Sequence, residues 1–169
     1  SPFCPYAGRF HDQHFHVAEQ PTHSPDWVDV VTTVSAPAGE LRSVFRRSTR
    51  QRPGYEKSFL LKAPEDIKTL LSLPYEPYPF NPHPYADALA EVGDAGVAVF
   101  GLDHAMYALQ RLIGSENFAV WNLYHDGLLE EAIACFAARI EAQVRAVLDH
   151  GLRPIFGWVG PELCIPPLM

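Results

Sequence analysis

From Leu129 to Leu148 the apolar residues return every three or four positions: Ile133, Phe136, Ile140, Val144, Val147 and Leu148. That period draws one continuous buried stripe on a long helix. Glu130, Glu131, Arg139, Glu141 and Arg145 fall between the apolar positions, and Glu141 stands one turn before Arg145, a favourable pair. Gly151, with His150 in the turn before it, predicts a left-handed helix end. Arg153–Val159 (RPIFGWV) follows; it is too short for a helix, does not alternate, and predicts a strand buried on both faces. Val97–Leu102 (VAVFGL) reads the same way. Between the two strands the pattern predicts three helices: one carrying Met106, Leu109, Leu112 and Ile113, one capped by Ser115, and the long one. A strand, helices and a strand form a parallel crossover, expected to be right-handed.

Upstream, Trp27–Arg47 predicts a hairpin, with Val28, Val30, Thr32 and Val34 alternating before a turn at Ala36–Gly39 and Leu41, Ser43 and Phe45 returning. Phe59–Leu61 predicts a short strand. Pro64 opens a helix with Glu65 and Asp66 in its first turn and Ile67, Leu70 and Leu71 on its buried side. Tyr75–Pro84 (YEPYPFNPHP) is a stiff aromatic-proline connector, and Tyr85–Val92 a helix stopped by the glycines at 93 and 96. Ser1–Pro25, rich in turn-formers and without usable period, reads as loop. The expected organisation is an N-terminal extension over residues 1–26 and one domain over 27–169.

Composition narrows the partners. A net charge of −7 disfavours nucleic acid and anionic membranes, and no apolar run is long enough for a membrane span. Cys4, Cys135 and Cys164 are too few and scattered for a disulfide framework, which makes a cytoplasmic location the expectation. His11, His14, His16 and His23 could hold a metal with Cys4 or Asp12, although a solvated polar loop explains them more simply and no metal site is assigned. Five arginines at 42, 46, 47, 50 and 52 could receive a carboxylated or phosphorylated ligand; charges guarding a strand edge explain them as well.

In parallel α/β structures the chemistry gathers where strands end. That rule points to Asp103 and His104 after the first strand and to Glu162 and Cys164 after the second. Adjacent Asp and His can serve as base, acid or ligand; alternatively Asp103 caps the next helix and His104 sits in its first turn. Glu162 could contact a ligand or bond a loop N–H, while Cys164 between Leu163 and Ile165 reads as a small buried hydrophobe. Tyr107 and Tyr124 offer packing rings with a polar tip. No phosphate-cradling glycine loop, nucleophile elbow or paired-cysteine zinc motif is present.

Several segments in series resemble the uroporphyrinogen decarboxylase superfamily, which joins that decarboxylase with the cobamide-dependent methyltransferases. They are Thr33–Leu41 (TVSAPAGEL), Lys62–Ile67 (KAPEDI), Val99–His104 (VFGLDH), Leu112–Phe118 (LIGSENF), and the long helix with its final strand. The resemblance implies a (β/α)8 TIM-type barrel, which typically needs ~250 residues, so the chain would be an incomplete barrel preceded by a β-hairpin. It implies cofactor-independent decarboxylation of a tetrapyrrole acetate side chain. Asp103 and His104 would be catalytic, and Arg9, Arg42, Tyr107 and Glu162 would bind the substrate. Half a barrel implies no turnover by the chain alone. The alternatives are a methyltransferase using zinc, a corrinoid and a corrinoid-protein partner, and a non-catalytic binding domain. A small-molecule substrate is the partner expected, and a homodimer is allowed.

The departures matter. The decarboxylases carry an R-Q-A-G-R-Y motif that holds carboxylates; Ala7–Phe10 (AGRF) echoes its second half alone. Their G-x-P-W-T stands where this chain has Gly101–Ala105 (GLDHA). The methyltransferase zinc ligands, a His-x-Cys and a later Cys, would fall after Met169.

Overall fold

The computed structural model describes residues 5–159. Its N-terminal half is an antiparallel four-stranded sheet of order β1-β2-β3-β4: β1 (Phe15–Pro21), β2 (Trp27–Ala36), β3 (Gly39–Ser48) and β4 (Tyr55–Ser58). The hairpin read from the sequence is β2–β3, in register from Trp27 opposite Ser48 to Ala36 opposite Gly39. Alternation puts Val34 and Leu41 into the core as a cross-strand pair.

Residues read as an N-terminal loop are ordered instead. A single turn, α1 (His11–His14), leads into β1, which pairs with β2 from Phe15 opposite Val34 to Pro21 opposite Val28. The polar residues of FHVAEQP hid this strand, because an edge strand with one exposed face has little apolar period to show. The strand expected at Phe59–Leu61 lies just upstream as β4. Leu60 and Leu61 are buried beyond its end, where the Leu61 N–H donates to the Leu112 carbonyl at 3.0 Å.

Most of the arginine cluster is spent on this sheet. Arg46 makes a two-pronged contact with Asp29 (2.7 and 2.9 Å), and Lys57 donates to the same carboxylate at 2.8 Å. Arg47 pairs with Glu19 and Arg50 with Asp26. The Arg46 guanidinium, then Lys57, holds the Asp29 carboxyl well below the usual carboxylate range. A depressed folded value means that the stabilisation is complete above the ordinary Asp value of ~4 and is lost as acid protonates the folded carboxyl. Asp29→Asn is therefore expected to flatten the acid limb of a stability–pH curve followed by urea unfolding, with the loss against wild type appearing at neutral pH and vanishing at strongly acid pH.

The second half is helical. After α2 (Asp66–Leu71) and α3 (His83–Val92) come β5 (Val99–Asp103), α4 (Ala105–Ile113), α5 (Ser115–Tyr124), α6 (Asp126–Asp149) and β6 (Ile155–Val159). The helix expected to run from residue 129 is α6, with Leu129, Phe136, Ile140 and Val147 on its buried stripe. Phe136 meets Leu109 and Ile113 of α4, Ile67 and Leu70 of α2, and Val34 of the sheet in one core. Gly114 joins α4 to α5 at φ +86°, and a side chain there would come within 2.5 Å of the Phe59 ring. Glycine is required at that position on both counts.

The TIM-type barrel, whole or partial, is not the fold. The chain is a mixed α/β domain: an antiparallel sheet, a separate two-stranded sheet and helices. β5 and β6 are parallel, as the crossover pattern implied, with Val99 opposite Ile155 and Leu102 opposite Trp158. They are not buried on both faces. Val99 is 53% exposed, Ile155 57% and Trp158 63%, and neither strand has a further neighbour among the described residues. A continuous apolar run is compatible with burial on two faces but does not enforce it. The first four strands are joined by short local turns, which favour antiparallel pairing over crossovers. Among the described residues no helix is long and apolar enough to cross a membrane.

Candidate functional site

A cleft of about 440 Å³ opens between the four-stranded sheet and α4. Its floor takes one side chain from each strand: Val17, Thr32, Ser43 and Glu56. Thr32 stands in register with both Val17 and Ser43, so alternation alone directs these three to one face. Asp103 at the end of β5 and Arg111 in the last turn of α4 form the opposite wall. Tyr6, His11, Phe15 and Tyr78 supply aromatic sides, with the His11 and Phe15 rings stacked at 4.3 Å.

Three charged groups from three elements face this cleft: Glu56, Asp103 and Arg111. None makes an ion pair or side-chain hydrogen bond with a described residue. Asp29, Arg46, Lys57, Arg47 and Glu19 of the sheet are engaged in cross-strand pairs, and these three groups are not. The Arg111 guanidinium lies 5.7 Å from the Tyr107 ring centre, a cation–π contact that orients it without using its N–H groups. The walls strip water from the Glu56 carboxyl and raise it above its ordinary value, against the pull of Arg111.

A raised carboxyl carries a sign. The folded protein holds this proton more tightly than the unfolded chain, so stability falls as pH climbs from the ordinary Glu value to the folded one. Glu56→Gln removes that slope. The variant is expected to match wild type below pH ~4 and to exceed it at neutral pH. Carboxyl ¹³C shifts against pH, with urea melts at the two pH values, read this directly.

The residues expected from sequence divide. Asp103 lines the cleft and does not cap α4; the N-cap position is taken by His104, which makes no side-chain cap bond. His104 is not a first-turn residue, nor does it share the cleft. It borders a second, apolar groove, its ring edge-on to Trp158 at 5.9 Å. Arg9 is committed to an ion pair with Glu76 and lies over the Phe10 ring. Arg42 is an exposed β3 residue opposite Thr33 and does not line the cleft. Tyr107 acts through Arg111. Cys4, Glu162 and Cys164 lie outside the described residues.

Glu56 and Arg111 were missed. Glu56 sits in Tyr55–Ser58 (YEKS), where alternation sends Glu56 and Lys57 to opposite faces; Lys57 reaches Asp29, leaving Glu56 for the cleft. Arg111 stands among the apolar residues of α4 with no spacing or motif to mark it. The histidine run does not assemble: His14 donates through Nδ1 to the Ser35 carbonyl at 2.7 Å while His11 stacks on Phe15. Among the described residues no three His, Cys, Asp or Glu side chains form a metal-ligand set. No known protein family, curated protein or solved structure matches this chain.

Proposed function

We propose that the chain binds a small carboxylate-bearing molecule in the cleft, seated on Arg111, with Asp103 and Glu56 placed for proton transfer. The observation that supports this is the convergence of three charged side chains left without partners in one cleft. Glu56 is partly stripped of water within the electrostatic reach of Arg111, and perturbed charged groups gathered in a cleft mark candidate binding sites. Arg111 offers the planar fork that suits a carboxylate, and the aromatic sides suit a flat ring. The volume lies within the ~300–1,000 Å³ of ligand pockets and accommodates one carboxylated ring or arm of a larger substrate.

Decarboxylation, the reaction implied by the sequence resemblance, has a consistent assignment here. The C–CO₂⁻ bond breaks, its electron pair stays on carbon, and Glu56, protonated more readily than an ordinary carboxyl, delivers the proton. The Asp103 carboxylate is placed to face the ring, which, once protonated, draws that pair in as CO₂ leaves and gives its own proton up again when the new C–H bond has formed. Binding without turnover is favoured by a separate observation: Glu56 and Arg111 are exposed, so water is incompletely excluded. A small-molecule partner and a cytoplasmic location belong to this same proposal.

The test titrates ¹⁵N-labelled protein with pyrrole-acetic acid and with its amide. Shifts confined to cleft residues with the acid, and absent with the amide, are expected. Shifts elsewhere, or equal shifts with both, overturn the proposal. Release of ¹³CO₂ from carboxyl-labelled ligand separates turnover from binding.

A further inference from the structure

The cleft between the sheet and α4 carries two carboxyl groups, Glu56 and Asp103, against one guanidinium, Arg111. An anion seated on Arg111 leaves negative charge over, and a second acid group on the same ligand meets repulsion there instead of a partner. We infer that the ligand of this cleft is a zwitterion: an aromatic amino acid or aminated ring acid whose carboxylate takes Arg111 and whose ammonium lies between Asp103 and Glu56. The inference rests on the carboxylate seat proposed above and names the group that stands beside it. Arg111 acts on the Glu56 carboxyl electrostatically, yet no ion pair closes between Arg111 and either acid. The gap suits a molecule of both signs, its carboxylate toward the guanidinium and its nitrogen toward the acids. An ammonium has three N–H donors. Two are taken by the carboxylates, and Thr32 and Ser43, opposite each other on the floor, place hydroxyls for the third. A cation beside Glu56 also offsets the loss of water that pushes this carboxyl up. The neighbouring basic groups are engaged elsewhere. His11 on the cleft wall stands 3.1 Å from the Asp12 carboxylate, and Lys57, next to Glu56, is turned to Asp29. The rings of Phe15 and Tyr78 remain to flank the aromatic part of the ligand.

The test compares three probes by calorimetric titration at neutral pH: L-phenylalanine, 3-phenylpropionate, which lacks only the ammonium, and phenethylamine, which lacks only the carboxylate. L-Phenylalanine is expected to bind roughly 10- to 100-fold more tightly than 3-phenylpropionate, the range of one hydrogen bond to a charged group. Asp103→Asn is expected to shrink that preference at least ~10-fold, by weakening the amino acid and relieving repulsion on the acid. Glu56→Gln acts on the second acceptor and is expected to shrink the preference as well, so the outcome does not hang on one variant. If wild type binds 3-phenylpropionate as tightly as L-phenylalanine, the zwitterion inference is overturned and the carboxylate seat stands. A preference that survives both substitutions places the ammonium elsewhere and overturns it too. Phenethylamine binding as tightly as L-phenylalanine removes the carboxylate seat and keeps the ammonium site. Binding of none of the three overturns both.

Discussion

Arg111→Ala weakens binding of a carboxylated ligand by roughly 10- to 100-fold and leaves thermal stability within about 0.5 kcal/mol of wild type. The affinity loss follows from the ~1.5–3 kcal/mol of a hydrogen bond to a charged group, at about 1.4 kcal/mol per tenfold. The small stability effect follows from the side chain being exposed and without an ion pair among the described residues, so nothing is left unpaired by its removal. Calorimetric titration of both proteins with pyrrole-acetic acid gives the first number and thermal melts the second. Arg111→Lys keeps the charge but not the fork and should recover part of the affinity. If Arg111→Ala binds as well as wild type, the carboxylate is held elsewhere and the proposed seat is wrong.

Phe136→Ala should be the most damaging single change in the core, costing ~3–5 kcal/mol. Phe136 is fully buried at the middle of α6, and the Tyr6 ring lies 6.0 Å from it, so truncation opens a void beneath the cleft wall as well. Against a total of ~5–15 kcal/mol that is a large fraction, and at ~2–4 °C per kcal/mol the melting point should drop by ~6–20 °C. Urea unfolding with an unchanged slope measures it. Phe136→Leu, which keeps most of the volume, should recover more than half of the loss. A cost below ~1 kcal/mol would show that α6 does not organise the core.

The long helix was legible because its stripe repeats over many turns, and the β2–β3 hairpin because alternation and a tight turn coincide. The parallel relation of β5 and β6 could be read from the helices between them. A barrel does not follow from that relation, and the two strands form a sheet of their own. Val97, Val99, Ile155 and Trp158 are as apolar as residues buried on two faces, yet they stand in the open. Local pattern reports what a segment tolerates, not how many neighbours it receives. The cleft was hidden for a related reason. Asp103, which lines it, was singled out because strand ends have a rule. Glu56 and Arg111 are 55 positions apart in the chain and share a cleft only after α4 lies against the sheet, so no spacing announces them. Arg9 and Arg42 were named as the carboxylate clamp that the family resemblance implies; Arg9 is engaged with Glu76 and Arg42 does not line the cleft.

Pro5 and Tyr6, which wall one side of the cleft, are held from the far end of the sequence. Arg139 of α6 donates to the Pro5 carbonyl at 2.8 Å across 134 residues, its guanidinium lying over the Tyr75 ring at 4.1 Å. The Gly8–Glu76 bridge adds a second long-range stitch. Contacts of such separation carry the largest loop-closure entropy and are the last to be worth forming. Arg139 also leaves a ribosome long after Pro5, so the cleft wall cannot assemble while the sheet is being made. In refolding, the β2–β3 hairpin should therefore acquire hydrogen-exchange protection first, and ligand-binding capacity should appear later than sheet signal.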